Sequence, residues 1–133
     1  MRATHTEYSL APYPATLHVY IHPAEGPFAQ PPAGKRHAPF FPLRAEHYPA
    51  TEGYEAMHVA RRRIAPGEFA IHVREHARAS VITHEIIHLL TALERQSYLR
   101  TRPENDEPSA YLAQAVLELV ALSLREHGTP ATI

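Results

Sequence analysis

Residues 68–93 read EFAIHVREHARASVITHEIIHLLTAL, and the change of period inside this stretch decides the fold. Phe69, Ile71 and Val73 alternate with Ala70 and His72, the period-two signature of a strand. From about Ser80 the period becomes helical, because Ile82, Ile86, Leu89, Leu90 and Leu93 share one face of a wheel turned by about 100 degrees per residue. Ser80 is the expected N-cap, and the helix is expected to run to about Tyr98, before Arg102-Pro103.

On the N-terminal side, Met57 to Ile64 reads as a strand joined to Glu68–Val73 by Ala65-Pro66-Gly67, so the two form a hairpin. Arg61, Arg62 and Arg63 fall in the first of these strands, as a solvated edge that discourages aggregation rather than as an anion site. Further upstream, Leu17, Val19 and Ile21 alternate with His18, Tyr20 and His22, which predicts a half-buried strand at about 15–22, stopped by Pro23. Pro23 to Pro49 holds seven of the thirteen prolines and no regular period. It predicts a long loop, either disordered or a rim over a cleft, anchored at Phe40 and Phe41. On the C-terminal side a second helix begins near Asp106, with Pro108 in its first turn. It buries Leu112, Ala113, Val116, Leu117, Val120 and Leu124, and it ends at Gly128 and Pro130. The expected fold is α+β: a small antiparallel or mixed sheet of about three strands packed on two main helices. It forms one domain over residues 1–133, with a proline-rich loop at about 23–55 and a core at about 56–127.

A chain of 133 residues, 44% of them hydrophobic, suffices for one core. A formal net charge of −1 gives no electrostatic case for nucleic acid or an anionic membrane as partner. The first ten residues lack the apolar run of a signal peptide, and no apolar stretch reaches the length of a membrane span, so a cytoplasmic protein is expected. With no cysteine, disulfides, thiolate nucleophiles and cysteine-built zinc sites are excluded. Any transition metal must sit on histidine and carboxylate, and there are eleven histidines.

Two of them stand in His84-Glu85-Ile86-Ile87-His88, an HExxH sequence inside the predicted helix. Residues i and i+4 lie one above the other on a helix, so both imidazoles reach one metal. Glu85, about 100 degrees round the helix, reaches a water on that metal. The two histidines lie nearly opposite the apolar stripe, which leaves them free of the core. Shuffling this composition yields about 0.09 such matches, so the five letters are moderately specific, and a pair of merely structural histidines is the competing reading. The uncharged residues around the motif favour the metal. His72-Val73-Arg74-Glu75-His76 spells the inverted motif, but on a strand its histidines lie about 13 Å apart at ~3.3 Å per residue, and Arg74 and Arg78 oppose a cation. The other nine histidines sit on strands, loops and a helix end without ligand spacing.

A zinc site that keeps a position for water needs a third protein donor. Glu107, 19 residues after His88 at the start of the second helix, is the choice, with Asp106 and Glu104 as the alternatives. The wheel places Glu107 on the polar side of that helix with Tyr111, Gln114 and Glu118, so an N-capping Asp106 and a solvent-facing Glu107 remain a competing arrangement.

Val81-Ile82-Thr83-His84-Glu85-Ile86-Ile87-His88 together with Asn105-Asp106-Glu107-Pro108-Ser109-Ala110-Tyr111-Leu112 resembles the small HExxH metallopeptidases of phages and bacterial mobile elements, similar in pattern to gluzincins and ImmA/IrrE-like peptidases. The resemblance covers about Phe69 to Leu124. It implies a minimal zincin-like core, a bound Zn2+ with His84, His88 and Glu107 as ligands, and Glu85 as general base. It also implies that the strand at 68–73 is the sheet edge that holds a peptide or protein substrate. The helix-turn-helix domain of many ImmA-like proteins has no counterpart in these residues.

The expected chemistry is attack on a carbonyl carbon by a metal-activated water, with Glu85 moving the proton to the leaving nitrogen. Tyr111 is the candidate stabiliser of the oxyanion, against a packing role, and His72 or His76 are the alternatives. The competing class is a non-catalytic accessory or interaction protein in which zinc ties the helices together, with His127 or Asp106 closing the site. Without any metal, chelation leaves the melting temperature unchanged.

Overall fold

The computed structural model describes residues 2–41, 53–97, 104 and 106–129. It is α+β: strands β1 (Thr4–Ser9), β2 (Thr16–His22), β3 (Ala56–Val59) and β4 (Glu68–Arg74), then helices α1 (Ala79–Ser97) and α2 (Glu107–His127). A 3-10 turn at Lys35–Phe40 lies within the proline-rich segment. The strands form one sheet in the order β1-β2-β4-β3, with β2 and β4 parallel and the other pairs antiparallel.

The sheet has four strands rather than three. β1 (THTEYS) shows no apolar alternation because it is an edge strand whose residues are mostly half-buried or exposed, so it carries no period for a sequence reading to find. The hairpin of β3 and β4 forms as expected, but β3 stops at Val59. Arg61, Arg62 and Arg63 therefore stand exposed in the connection rather than on the strand. Gly67 closes this connection at φ 75°, and a Cβ there would meet the Pro14 carbonyl oxygen at 3.0 Å, so both its conformation and its neighbour require glycine. Helix α1 starts at Ala79, which puts Ser80 inside the first turn instead of before it. The C-terminus of α2 is closed as expected: Gly128 is left-handed at φ 92°, and the Thr129 N–H reaches the Leu124 carbonyl at 2.9 Å.

Both helices cover one face of the sheet. Leu17, Val19 and Ile21 of β2 and Phe69, Ile71 and Val73 of β4 pack against Ile82, Ile86, Leu89 and Leu93 of α1 and Leu112, Val116, Val120 and Leu124 of α2. The opposite face is also buried, which corrects the half-buried reading of β2. His18, Tyr20 and His22 of β2 and Ala70, His72 and Arg74 of β4 lie beneath Phe28, Ala29, His37, Phe40 and Phe41 of the proline-rich segment. In its described part that segment is a built layer with Phe40 and Phe41 fully buried; residues 42–52 of the predicted loop lie outside the described residues.

This second layer is aromatic and polar. The ring of His22 stacks on Phe28 at 4.1 Å and on His72 at 5.1 Å, and Tyr20 stacks on His72 at 5.0 Å. Its hydrogen bonds fix the tautomers. The Ala29 N–H donates to His22 Nδ1 (2.9 Å), so His22 carries its proton on Nε2 and donates to His72 Nδ1 (2.8 Å). His72 in turn donates from Nε2 to the Phe40 carbonyl (2.6 Å). Two neutral imidazoles thus bridge two backbone groups of the covering segment.

Candidate metal centre on helix α1

His84 and His88 project from α1 into solvent, away from the Ile82, Ile86, Leu89 and Leu93 face, as the wheel requires. Their Nε2 atoms lie 3.2 Å apart and their rings meet edge to face at 74°. Two nitrogen ligands at about 2.0–2.1 Å from a tetrahedral zinc are themselves about 3.4 Å apart, so the pair stands close to the separation one shared ion imposes.

Glu85 is half-buried on the side of α1 that faces β3, and its Oε2 accepts the backbone N–H of His58 at 2.9 Å. The register explains why that N–H is available. Arg74 N bonds Glu55 O, so the pairs alternate along the ladder and the backbone of His58, opposite Ile71, points away from β4. Among the described residues, β3 is therefore the edge strand beside α1, with no strand paired to its outer side. β4 lies between β2 and β3, which corrects the expectation that 68–73 forms the sheet edge.

The side chain of His58 points to the helix face of the sheet, stacked with Phe69 at 6.3 Å. Its Nε2 is buried and has no hydrogen-bond partner among the described residues. Burial, reinforced by the charge of His88, pushes its pKa down to about 4, so the imidazole is neutral near pH 7. His58, Ala60, Glu85, His88, Thr91 and Arg95 line an open cleft of about 530 Å³ between β3 and α1. The sequence reading did not single out His58, which the structure places in this cleft. Its only signal was a histidine on the first strand of the hairpin that precedes the motif's helix.

Glu107 is not brought to these imidazoles. It is the exposed first residue of α2, and α2 meets α1 there through Ser109 Oγ, 3.4 Å from Glu94 Oε1. Glu94 is six residues beyond His88, about 9 Å along the axis at ~1.5 Å per residue. Asp106 makes no side-chain cap bond, and both it and Glu104 are exposed. His127 pairs with Glu75 at 3.0 Å. Tyr111 lies on another surface, beside Leu10, Ala11, Pro12 and Tyr13 of the β1–β2 turn, and does not line the cleft that holds Glu85. Of the alternatives, His72 is locked in the second layer, and His76 sits in the turn after β4 with its backbone N–H on Thr129 Oγ1. Among the described residues, the one group of three histidine or carboxylate donors within 4.8 Å of one another lies elsewhere, at His5, Glu7 and His18.

No family model, curated protein or solved structure matches this chain. The functional reading therefore stands on the cleft itself. No helix among the described residues is long and apolar enough to cross a membrane.

Proposed function

We propose that the chain is a zinc-dependent hydrolase of the HExxH type, acting on a peptide or amide bond in the cytoplasm. The observation that carries this reading is the convergence of His84 and His88 Nε2 at 3.2 Å, beside a carboxylate hydrogen-bonded to the edge strand β3. Two imidazoles are donors that suit Zn2+, and among the described residues no third donor stands with them. Bound there, zinc would supply Lewis acidity and lower the pKa of a water toward neutrality.

The chain's own groups have defined tasks. An extended substrate pairs with the outward backbone of β3, where the Glu85 carboxylate now occupies the His58 N–H. Substrate taking that N–H releases Glu85 toward the attacking water, whose proton it accepts and passes to the leaving nitrogen. His58, neutral near pH 7 and with no hydrogen-bond partner for Nε2 among the described residues, donates from its ring to the carbonyl oxygen as negative charge develops, in place of Tyr111. His58→Gln is expected to lower kcat by about 10²-fold with folding intact, whereas Tyr111→Phe leaves kcat unchanged. Equal kcat in His58→Gln and the parent chain removes His58 from the chemistry.

The reading is tested by metal content and peptide-library hydrolysis together. Replacing both His84 and His88 by Ala is expected to remove about one zinc per chain and all hydrolysis. Glu107→Ala is expected to change neither, because Glu107 stands away from the pair. Hydrolysis that persists without His84 and His88 overturns the proposal. Zinc lost in Glu107→Ala restores Glu107 as the third ligand.

A further inference from the structure

We propose that His5, Glu7 and His18 form a second metal site, for a divalent transition ion such as Zn2+, on the face of the sheet opposite the helices. The register of β1 and β2 builds it. Glu7 stands directly across the antiparallel ladder from His18, and His5, two residues before Glu7, projects from the same face. One donor atom from each lies within 4.8 Å of the others. His5 Nε2 is 2.9 Å from His18 Nδ1, and His18 Nδ1 is 3.6 Å from Glu7 Oε1. These two separations bracket the about 3.4 Å expected between ligands of a tetrahedral zinc, and the third lies within 4.8 Å, so an ion is reached by side-chain adjustment alone.

The surroundings are those of a ligand group. His18 is buried against Phe40 at 4.7 Å, and its other ring nitrogen, Nε2, lies 2.9 Å from Glu68 Oε1. With the Nε2–H donating to that carboxylate, the Nδ1 lone pair is aimed at Glu7 and His5. This is the carboxylate–imidazole–metal arrangement that raises ligand basicity and fixes ring orientation. Without an ion, the His5 Nε2–H donates to His18 Nδ1; on metal entry that proton moves to His5 Nδ1 and the Nε2 lone pair faces the ion. Two imidazoles and one carboxylate select a zinc-type ion over Mg2+ or Ca2+. The Glu7 side chain is 47% exposed, which leaves a path for the ion and a fourth position for water. Arg36 Nη1, 3.4 Å from Glu7 Oε1, is the competing cation.

The site is independent of His84 and His88, and the two are separated by measuring zinc on the full-length chain with both of those residues changed to Ala. That variant is expected to retain about one zinc per chain, and Co2+ in its place gives the absorption of a tetrahedral nitrogen and oxygen site. In the same background Glu7→Gln with His5→Gln abolishes binding. Glu68→Ala weakens it by about 10–100-fold, and Arg36→Ala tightens it by removing the competing charge. Glu7 and Arg36 are exposed, so Glu7→Gln and Arg36→Ala leave the circular dichroism spectrum intact, and that spectrum checks the folding of the His5 and Glu68 variants. A folded His84/His88 double variant that binds no zinc overturns this site while leaving the α1 reading standing. Zinc bound by that variant but unaffected by Glu7, His5 and Arg36 changes overturns it equally. If parent and double variant each hold one ion, and Glu7→Gln with His5→Gln removes it, the second site stands and the α1 reading fails.

Discussion

Glu85→Gln is expected to keep the zinc content of the parent chain and to lose hydrolysis by about 10²–10⁴-fold, the range ascribed to a positioned general base. Glutamine has the shape of glutamate, and its carbonyl oxygen still accepts the His58 N–H that Glu85 Oε2 now holds at 2.9 Å, so the cleft between α1 and β3 keeps its geometry. What disappears is the capacity to take a proton from water. The loss should therefore fall on kcat with KM little changed, because the backbone edge of β3, where we propose that substrate pairs, is untouched. Glu85→Ala differs in a useful way: it leaves the His58 N–H without its acceptor, and it should also raise the mobility of β3. A Glu85→Gln chain as active as the parent would remove Glu85 as the base. A chain that loses zinc along with activity would instead assign Glu85 to the metal.

What the sequence revealed and what it hid divide along the two faces of the sheet. On the helix face, burial is achieved with Leu, Ile, Val and Phe at periods of two and 3.6, so β2, β4, α1 and α2 were legible to within about two residues. On the other face, burial is achieved with His18, Tyr20, His22, His72 and Arg74, residue types that read as solvent-facing. Their burial depends on the proline-rich segment folding back over them, a non-local event that no period records. Histidines that seemed scattered are thereby gathered: His5, His18, His22, His37 and His72 share one layer. Strand order was hidden for a related reason. β2 pairs with β4 in parallel across more than forty intervening residues, which turns β4 from an edge into an interior strand.

The candidate site divides in the same way. His84, Glu85 and His88 were legible because a helix converts spacing of one and four residues into fixed positions. Glu107 and Tyr111 were placed by counting chain length and by a wheel drawn on α2 alone. Neither operation knows where α2 starts against α1, and the contact of Ser109 with Glu94 decides that. The backbone of His58 became visible only through the ladder, since which N–H groups face outward depends on pairing and not on composition.

Stability is expected to fall steeply as pH drops from 6.5 to 5, and the His22–His72 pair sets the size of the fall. Burial, with the neighbouring His72 and Arg74 charges, pushes His22 down to about 2, and burial pushes His72 down to about 4. The hydrogen bonds supply the mechanism. A proton on His22 Nδ1 would face the Ala29 N–H, and a proton on His72 Nδ1 would face the His22 Nε2–H, so neither ring accepts a second proton without breaking the bridge. Unfolded, both titrate near 6.5. Below that pH the unfolded chain binds two protons that the native chain refuses, and a depressed folded pKa of this kind gives stability that is complete above 6.5 and lost as pH falls. Each ring contributes up to about 1.4 kcal/mol per pH unit once its unfolded form is protonated, so the pair removes about 3 kcal/mol between pH 6.5 and 5, a large share of the roughly 5–15 kcal/mol that holds a domain folded. His5 and His58, both lowered to about 4, act in the same direction but are less completely buried. Urea unfolding followed from pH 7.5 to 5 should show an uptake of at least about two protons on unfolding. His72→Gln, neutral at every pH, should be less stable at pH 7 but should lose about one proton from that slope. A melting temperature that stays level from pH 7 to 5 would mean that the rings titrate in place and that the bridge to Ala29 and Phe40 is not formed in solution.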